Sequence, residues 1–286
     1  MRIRTPAKIN PLLYILAKRE DGFHELYMHM VPVSLFDTLS FSKNNENELN
    51  FRMNGASFSE SPEENLVIRA LRSFEQACGI TAALDVFLEK RIPSGAGLGG
   101  GSGNAAGTLR ALNHIFRDSS SKEGLLPPET LYELALELGS DVPFFLDPLP
   151  CEIRGCGEKL NPLAEYPKLY VLIIKPPLSI STPEAYKNCR PKAYTTFPEI
   201  KSFDDVKNSL NNQFEISLLE QYPVLSELKS LLLKNGAFGA LVSGSGSAVF
   251  GIFNKKELQN HAYKNLSCLQ IGKIFSCETL AAHHYY

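Results

Sequence analysis

The feature that most restricts this chain is the run PSGAGLGGGSGNAAG at Pro93–Gly107. A strand-like stretch, Leu84–Leu88, precedes it, and a helical pattern over Ala105–Phe116 follows, with Leu109, Leu112 and Phe116 spaced as its buried line. Strand, glycines and helix start together present an anion with unobstructed backbone N–H groups and the positive end of a helix. Gly95-x-Gly97-x-x-Gly100 formally matches the dinucleotide fingerprint. However, Pro93 follows the strand, and the glycines continue through Gly99 to Gly103, with Ser102 between, beyond the tight turn of that fingerprint. No Lys-Ser or Lys-Thr pair follows, so this is not a Walker A loop. A plain flexible linker stays open as an alternative. Ser102 suits two roles equally, capping the helix or coordinating magnesium carried by a phosphate.

The rest of the chain offers such an anion no general attraction. Lys plus Arg number 29 against 31 Asp plus Glu, a net charge of -2 that gives no reason to expect nucleic acid or an anionic membrane as a partner. An anionic ligand must be caught by a local device. With 286 residues, 44% of them hydrophobic, the chain has ample material for two domains with real cores. The apolar stretches, such as Leu169–Ile174, are too short to span a bilayer, and the N-terminal segment, interrupted by Pro6, Asn10 and Pro11, does not read as a secretory signal. The six cysteines are scattered, and Cys151 and Cys156 lack CxxC spacing, so free thiols in a cytoplasmic protein are expected.

Strand signals fall at Ile9–Leu16, Leu26–Leu35, Leu39–Phe41 and Leu49–Met53, with Glu20–Gly22 as a turn and the polar run Lys43–Asn50 as a hairpin tip or loop. Helices are expected at Leu66–Cys78, stopped by Gly79, and at Glu129–Leu138, stopped by Gly139. Arg154–Pro167 is poor in periodic apolar residues, which places a domain boundary near Gly157–Pro162 and divides the chain into 1–157 and 158–286. Beyond it, strands are expected at Leu169–Ile174, Phe238–Val242, Ala248–Phe253 and Ile271–Cys277. Helices are expected near Pro183–Asn188, Leu210–Leu219, Val224–Lys234 and Lys256–Leu266. Strands and helices in both halves indicate an α+β class, with α/β left open by pattern alone.

Phosphoryl transfer requires an aligned acceptor hydroxyl and a group to take its proton. Asp141, in Gly139–Ser140–Asp141–Val142–Pro143 just after a helix stop, is the best-placed carboxylate; a capping or salt-bridging role fits it as well. Lys8, in a mostly uncharged segment, suits orienting Asp141 or neutralising phosphate charge. A second glycine-rich turn, Ser243–Gly244–Ser245–Gly246–Ser247, reads either as an ordinary hairpin or as a backbone wall against substrate.

Taken together, PAKINPLLYI, REDGFHEL, PSGAGLGGGSGNAAG, LGSDVPFFL and SGSGSAVF, in order along nearly the whole chain, resemble the GHMP kinase superfamily. The resemblance implies a two-domain fold, ribosomal-S5-like then ferredoxin-like, with an N-terminal ATP-binding kinase domain and a C-terminal domain. It is to the branch that moves the ATP γ-phosphoryl to the 2-hydroxyl of a cytidine-diphosphate-linked methylerythritol, with Mg²⁺ accompanying the nucleotide. It implies Asp141 as general base and Lys8 as its charged partner. Pro93, Gly95, Ala96, Gly97, Leu98, Gly99, Gly100, Gly101, Ser102, Gly103 and Asn104 are implied to handle ATP. Asn10, Phe23, His24, Thr182, Tyr186, Gly244, Ser245 and Gly246 are implied to handle the acceptor; no protein residue is assigned to metal. Two departures stand out: Phe23 replaces the usual Tyr, and Gly103 replaces a second Ser in the loop, removing a phenol and a hydroxyl. Other acceptors of the superfamily, homoserine, mevalonate or a sugar, are the near alternative. A non-catalytic RNA-binding module is the distant one, disfavoured by the charge balance.

Overall fold

The computed structural model describes residues 1–46, 48–54, 64–117 and 124–280. Two long strands, β1 (Arg2–Lys18) and β2 (His24–Lys43), pair antiparallel across the expected Glu20–Gly22 turn. They are longer than the apolar runs suggest. The prolines that interrupt β1 in sequence fall where its pairing already shifts, at Pro6/Ala7 and between Ile9 and Leu12. A missing N–H is tolerated at such irregularities.

The polar run after β2 is not a hairpin tip. β3 (Asn50–Asn54) pairs parallel to β4 (Leu84–Glu89), which itself lies against β2. Asn47, within that run, lies outside the described residues. Between these strands, α1 (Leu66–Cys78) has the expected bounds: Gly79 closes the helix with φ 65°, and at its start Asn65 accepts from the Val67 N–H at 2.9 Å. α2 (Gly100–Ile115), α3 (Pro128–Leu138) and a short 3-10 helix at Pro143–Leu146 follow.

β5 (Cys151–Gly155) and β6 (Lys159–Pro162) form a hairpin whose first strand pairs with β2. Residue 157, where the domain division was expected, is in the turn of this hairpin, and β6 stays with the first sheet. The second sheet, in the order β11-β7-β10-β9, is antiparallel: β7 (Tyr170–Lys175), β9 (Gly239–Val242), β10 (Val249–Phe253) and β11 (Lys273–Glu278). Its helices are α4 (Thr182–Lys187), α5 (Phe203–Ser209), α6 (Glu215–Gln221), α7 (Pro223–Lys234) and α8 (Lys256–Ser267). Of the helix expected at Leu210–Leu219, only the part from Glu215 on is helical, as α6; its start is β8 (Asn211–Asn212), which pairs parallel with β1 at Leu12–Leu13. The second half thus contributes a strand to the first sheet.

Alternation along β7 explains how the sheets join. Leu172 and Ile174 face a core shared with helices such as α7. Val171 and Ile173 face a second core with Ala7, Ile9 and Leu12 of β1 and Val31 and Val33 of β2. Ile92, just before the glycine-rich segment, and Ala96 and Leu98 within it belong to this second core. The glycine-rich loop is therefore seated on the seam between the sheets. Among the described residues no helix is long and apolar enough to cross a membrane, and all six cysteines are free.

Candidate active site

The glycine-rich loop alternates permissive backbone with apolar pegs. Gly95, Gly97 and Gly99 have φ of 59°, 70° and 69°, while Ala96 and Leu98 between them are buried. The glycines are required by space as well as by φ. A Cβ on Gly97 would lie 1.8 Å from the Ser243 carbonyl oxygen, and one on Gly99 2.7 Å from the Phe145 ring.

α2 starts at Gly100, inside the glycine run, earlier than its apolar periodicity suggests. Its N-cap is Gly99, with no side-chain cap bond, so Ser102 does not cap the helix. The N–H groups of Gly100, Gly101 and Ser102 occupy the first turn, where a helix offers donors it cannot use itself; Gly103 donates back to the Gly99 carbonyl at 2.8 Å. Two residues expected to touch ATP have other engagements. A Cβ on Gly103 would lie 3.2 Å from the Pro6 carbonyl oxygen and 3.4 Å from Phe145, so this position packs α2 onto β1. Asn104 is buried; its Nδ2 donates to Asp37 Oδ2 at 2.8 Å and its Oδ1 accepts from Thr5 Oγ1 at 2.6 Å.

Asp37 binds both ends of the loop. Fully buried, it accepts from Lys90 Nζ at 2.7 Å, from the N–H groups of Arg91 and Ile92 at 2.7 and 2.8 Å, and from Asn104 beyond the loop. Burial lowers the Lys90 pKa, against the raising effect of Asp37. Withdrawing two charges from water is costly, and here that cost is offset by saturating the carboxylate with donors.

Lys8, on β1, is 5% exposed. Its backbone N–H bonds the Leu98 carbonyl at 3.0 Å, tying β1 to the loop, and its Nζ donates to Asn10 Oδ1 at 2.7 Å and lies 3.5 Å from Asp141 Oδ2. The expected Lys8–Asp141 contact is present. Asp141 projects from the turn before the 3-10 helix, whose Phe144 and Phe145 are buried, and its carboxylate keeps 31% exposure to the cleft. Asn10 Nδ2 donates to the His29 carbonyl at 3.3 Å.

The late glycine turn closes this group from the other half of the chain. Ser243 Oγ donates to the Gly97 carbonyl at 3.0 Å, and the Ala248 N–H to that of Ala96 at 3.2 Å. Gly244 is so close that a Cβ there would lie 3.3 Å from Lys8 Nζ and 3.4 Å from Asn10 Oδ1. Asn212 of β8 holds the turn by donating to the Val242 and Gly244 carbonyls at 2.7 and 2.8 Å. Thr182 and Ser245 hydroxyls meet at 2.9 Å.

On the acceptor side, the His24 ring stacks on Tyr186 with centroids 4.9 Å apart and planes 26° apart; Tyr186 also meets Phe214 edge-on at 4.8 Å. Burial, and then the charge of Asp141, push the Tyr186 phenol up, so this ring shares the electrostatic neighbourhood of the carboxylate. Burial and then Lys18 lower the His24 pKa. Phe23 is 61% exposed in the turn, and no ring contact joins it to His24 or Tyr186 among the described residues.

Residues 65–147 match the model of the GHMP kinases N terminal domain and residues 196–270 that of the GHMP kinases C terminal domain. A relative from Syntrophotalea carbinolica named 4-diphosphocytidyl-2-C-methyl-D-erythritol kinase is 37% identical over 278 residues, 96% of each chain. The chain belongs to this kinase family. A crystal structure of a 4-(cytidine 5'-diphospho)-2C-methyl-D-erythritol kinase superposes with TM-score 0.84 at 32% identity, covering 99% of this chain and 100% of that one. Homoserine kinase from Cytophaga hutchinsonii, at 17% identity and TM-score 0.68 over 98% and 95% of the chains, shares the fold. The two-domain α+β architecture expected of the superfamily is the one observed.

Sequence reasoning missed Asp37, Lys90 and Asn212, the residues that hold this family's loops in place here. A lone carboxylate within the apolar run Leu35–Leu39 was a readable signal for Asp37. Asn212, one of several surface-like asparagines in sequence, carried none.

Proposed function

We infer that this chain transfers the γ-phosphoryl group of ATP to the 2-hydroxyl of 4-(cytidine 5'-diphospho)-2-C-methyl-D-erythritol, giving the 2-phosphate and ADP. The observation that carries the reading is the meeting of Lys8, Asn10 and Asp141 beneath the phosphate loop and the Gly244 turn, in a chain related end to end to kinases named for that substrate. Asp141 takes the proton of the attacking hydroxyl, and Lys8 holds the carboxylate in line while Asn10 orients the methylerythritol part. The transition state is loose, so positioning and charge stabilisation contribute more than the base. The α2 first-turn N–H groups supply fixed donors to the phosphates without reorganising.

Magnesium fits this site as a companion of the nucleotide. An ion of this kind keeps phosphate oxygens and water as most of its ligands and needs few from the protein. Ser102, in the first turn of α2, is the hydroxyl that would hold it, and Mg²⁺ would neutralise charge on the phosphate oxygens. The acceptor nucleoside is read by His24 and Tyr186, with Thr182 and Ser245 beside them. In this reading residues 1–157 carry the loop and the base, and residues 158–286 add Tyr186 and the late turn.

An ADP-release assay across acceptors tests the reading. The cytidyl substrate is expected to exceed homoserine and mevalonate in kcat/KM by roughly 10³-fold or more, since buried polar groups left unpaired penalise the wrong acceptor. Equal or better turnover of either competitor would refute it.

A further inference from the structure

His24, at the start of β2, is held twice by the end of α4. Tyr186 stacks on the face of its ring, and the half-buried Cys189 thiol meets its edge, with Sγ 3.6 Å from Nε2. Both grips come from one turn of chain. Cys189 lies three residues beyond Tyr186, and its backbone N–H donates to the Tyr186 carbonyl at 3.3 Å. The chain beyond is pinned as well. Gln213 Nε2 donates to the Arg190 carbonyl, and the Lys192 N–H donates to the Ile15 carbonyl at 2.9 Å. A thiol on so fixed a backbone is an oriented group.

The contact also has a direction. A neutral imidazole carries one N–H and one bare nitrogen, and the partner of one nitrogen decides which is which. Burial, and then the charge of Lys18 directly across the β1–β2 pair, disfavour protonation of His24. Burial raises the Cys189 pKa, against the lowering effects of a backbone hydrogen bond and of Lys18, so the thiol keeps its proton. Sulfur is a weak acceptor and a bare ring nitrogen a strong one. The S–H therefore donates to Nε2, and the ring proton is on Nδ1.

We propose that Cys189 is a positioning residue for acceptor recognition: by donating to Nε2 it keeps the His24 proton on Nδ1 and turns that N–H to the base of the acceptor. This rests on the reading of His24 and Tyr186 as the nucleoside site. An N–H at this place pairs with the bare ring nitrogen or the carbonyl of cytosine, whereas a bare nitrogen repels both. The stack on Tyr186 cannot do this alone, because stacking fixes the plane of the ring and not its rotation within that plane.

Long-range proton–nitrogen correlation NMR of the histidine rings at neutral pH, with turnover measured on the same variants, tests the proposal. The His24 signals, assigned by their loss in His24→Ala, should show a protonated Nδ1 and a bare Nε2 in the free enzyme. Cys189→Ala should shift them towards the opposite tautomer. Cys189→Ser, which restores a donor of shorter reach, should bring them part of the way back. In turnover, Cys189→Ala should raise KM for the cytidyl substrate about three- to tenfold, the scale of one lost hydrogen bond, with kcat and KM for ATP within about twofold. The retained kcat also shows that the variant is folded. Added to His24→Ala, the same change should raise KM no further.

A protonated Nε2 in the wild type, or ring signals unmoved in Cys189→Ala, would overturn the proposal. So would an unchanged KM in Cys189→Ala, or an equal rise with and without His24. Failure of the underlying reading looks different: His24→Ala itself then leaves KM for the cytidyl substrate unchanged. That result removes the recognition role of Cys189 as well, while the ring spectra still decide the direction of its contact.

Discussion

The phosphate side and the acceptor side of this cleft are built from different materials. In the proposed reading the phosphate loop works through backbone: positive-φ glycines, first-turn N–H groups and buried pegs at Ile92, Ala96 and Leu98. Its side-chain support, Asp37 with Lys90 and Asn104, is sealed in the interior. The proposed acceptor side is instead built from side chains of distant elements, His24 from the start of β2, Tyr186 from α4 and Asp141 from a turn, with Phe23 left in solvent. The difference suits the ligands. A triphosphate suits a rigid row of backbone donors, while choosing one hydroxyl among many requires side chains of particular shape and polarity.

The largest expected effect is on the sealed support. Asp37→Asn leaves the Lys90 ammonium buried without its counter-charge, and unfolding by denaturant should show a loss of roughly 3–5 kcal/mol, with KM for ATP raised more than that for the acceptor. Adding Lys90→Met should recover much of the stability. A double variant as unstable as the single one would mean that the ion pair is not what fixes the loop.

Asp141→Asn, on the open side, should behave oppositely. Stability and nucleotide affinity stay near wild type while kcat falls by roughly 10²-fold or more, as for loss of a general base. An unchanged kcat would remove Asp141 from that role and leave positioning alone.

His29 backs the acceptor side, since its carbonyl receives Asn10. Burial lowers its pKa to about 4, against a raising effect from Glu152. The folded state thus resists a proton that the unfolded chain accepts near pH 6.5, so stability is full above that value and falls as pH drops towards 4. The slope should approach roughly 1.4 kcal/mol per pH unit. Thermal melts between pH 7 and 4 should show this slope in the wild type and a flatter one in His29→Leu; equal slopes would clear His29 of the effect.

The smallest effects separate the two aromatics of the nucleoside side. Tyr186→Ala should raise KM for the cytidyl substrate about tenfold, on the scale of one lost base stack, with KM for ATP unchanged. Phe23→Ala should change it by less than about twofold, because this ring is 61% exposed and stacks on no other ring among the described residues. A larger loss at Phe23 would show that the turn folds over the bound nucleoside.

Local chemistry made some features legible. Gly79 ends α1 as read, because a cap acts within a few residues. The start of α2 was missed: glycine is a poor helix former, so periodicity only becomes visible at Ala105, and packing on Pro6 and Phe145 extends the helix back to Gly100. The parallel β3–β4 pair and the β8 strand were illegible for a related reason, since both depend on partners far along the chain.

By itself the sequence determined the phosphate loop, the family strings and the residue types Lys8, Asn10 and Asp141. Steric freedom at glycine and the chemistry of a carboxylate beside a lysine are properties of the residues themselves. Tertiary structure alone decided that Gly244 would press against Lys8 and that Asp37 would bind both ends of the loop. Those outcomes depend on how two sheets pack across the seam at Ala7, Ile9, Val171 and Ile173, and no local pattern encodes the distance between residues so far apart in the chain.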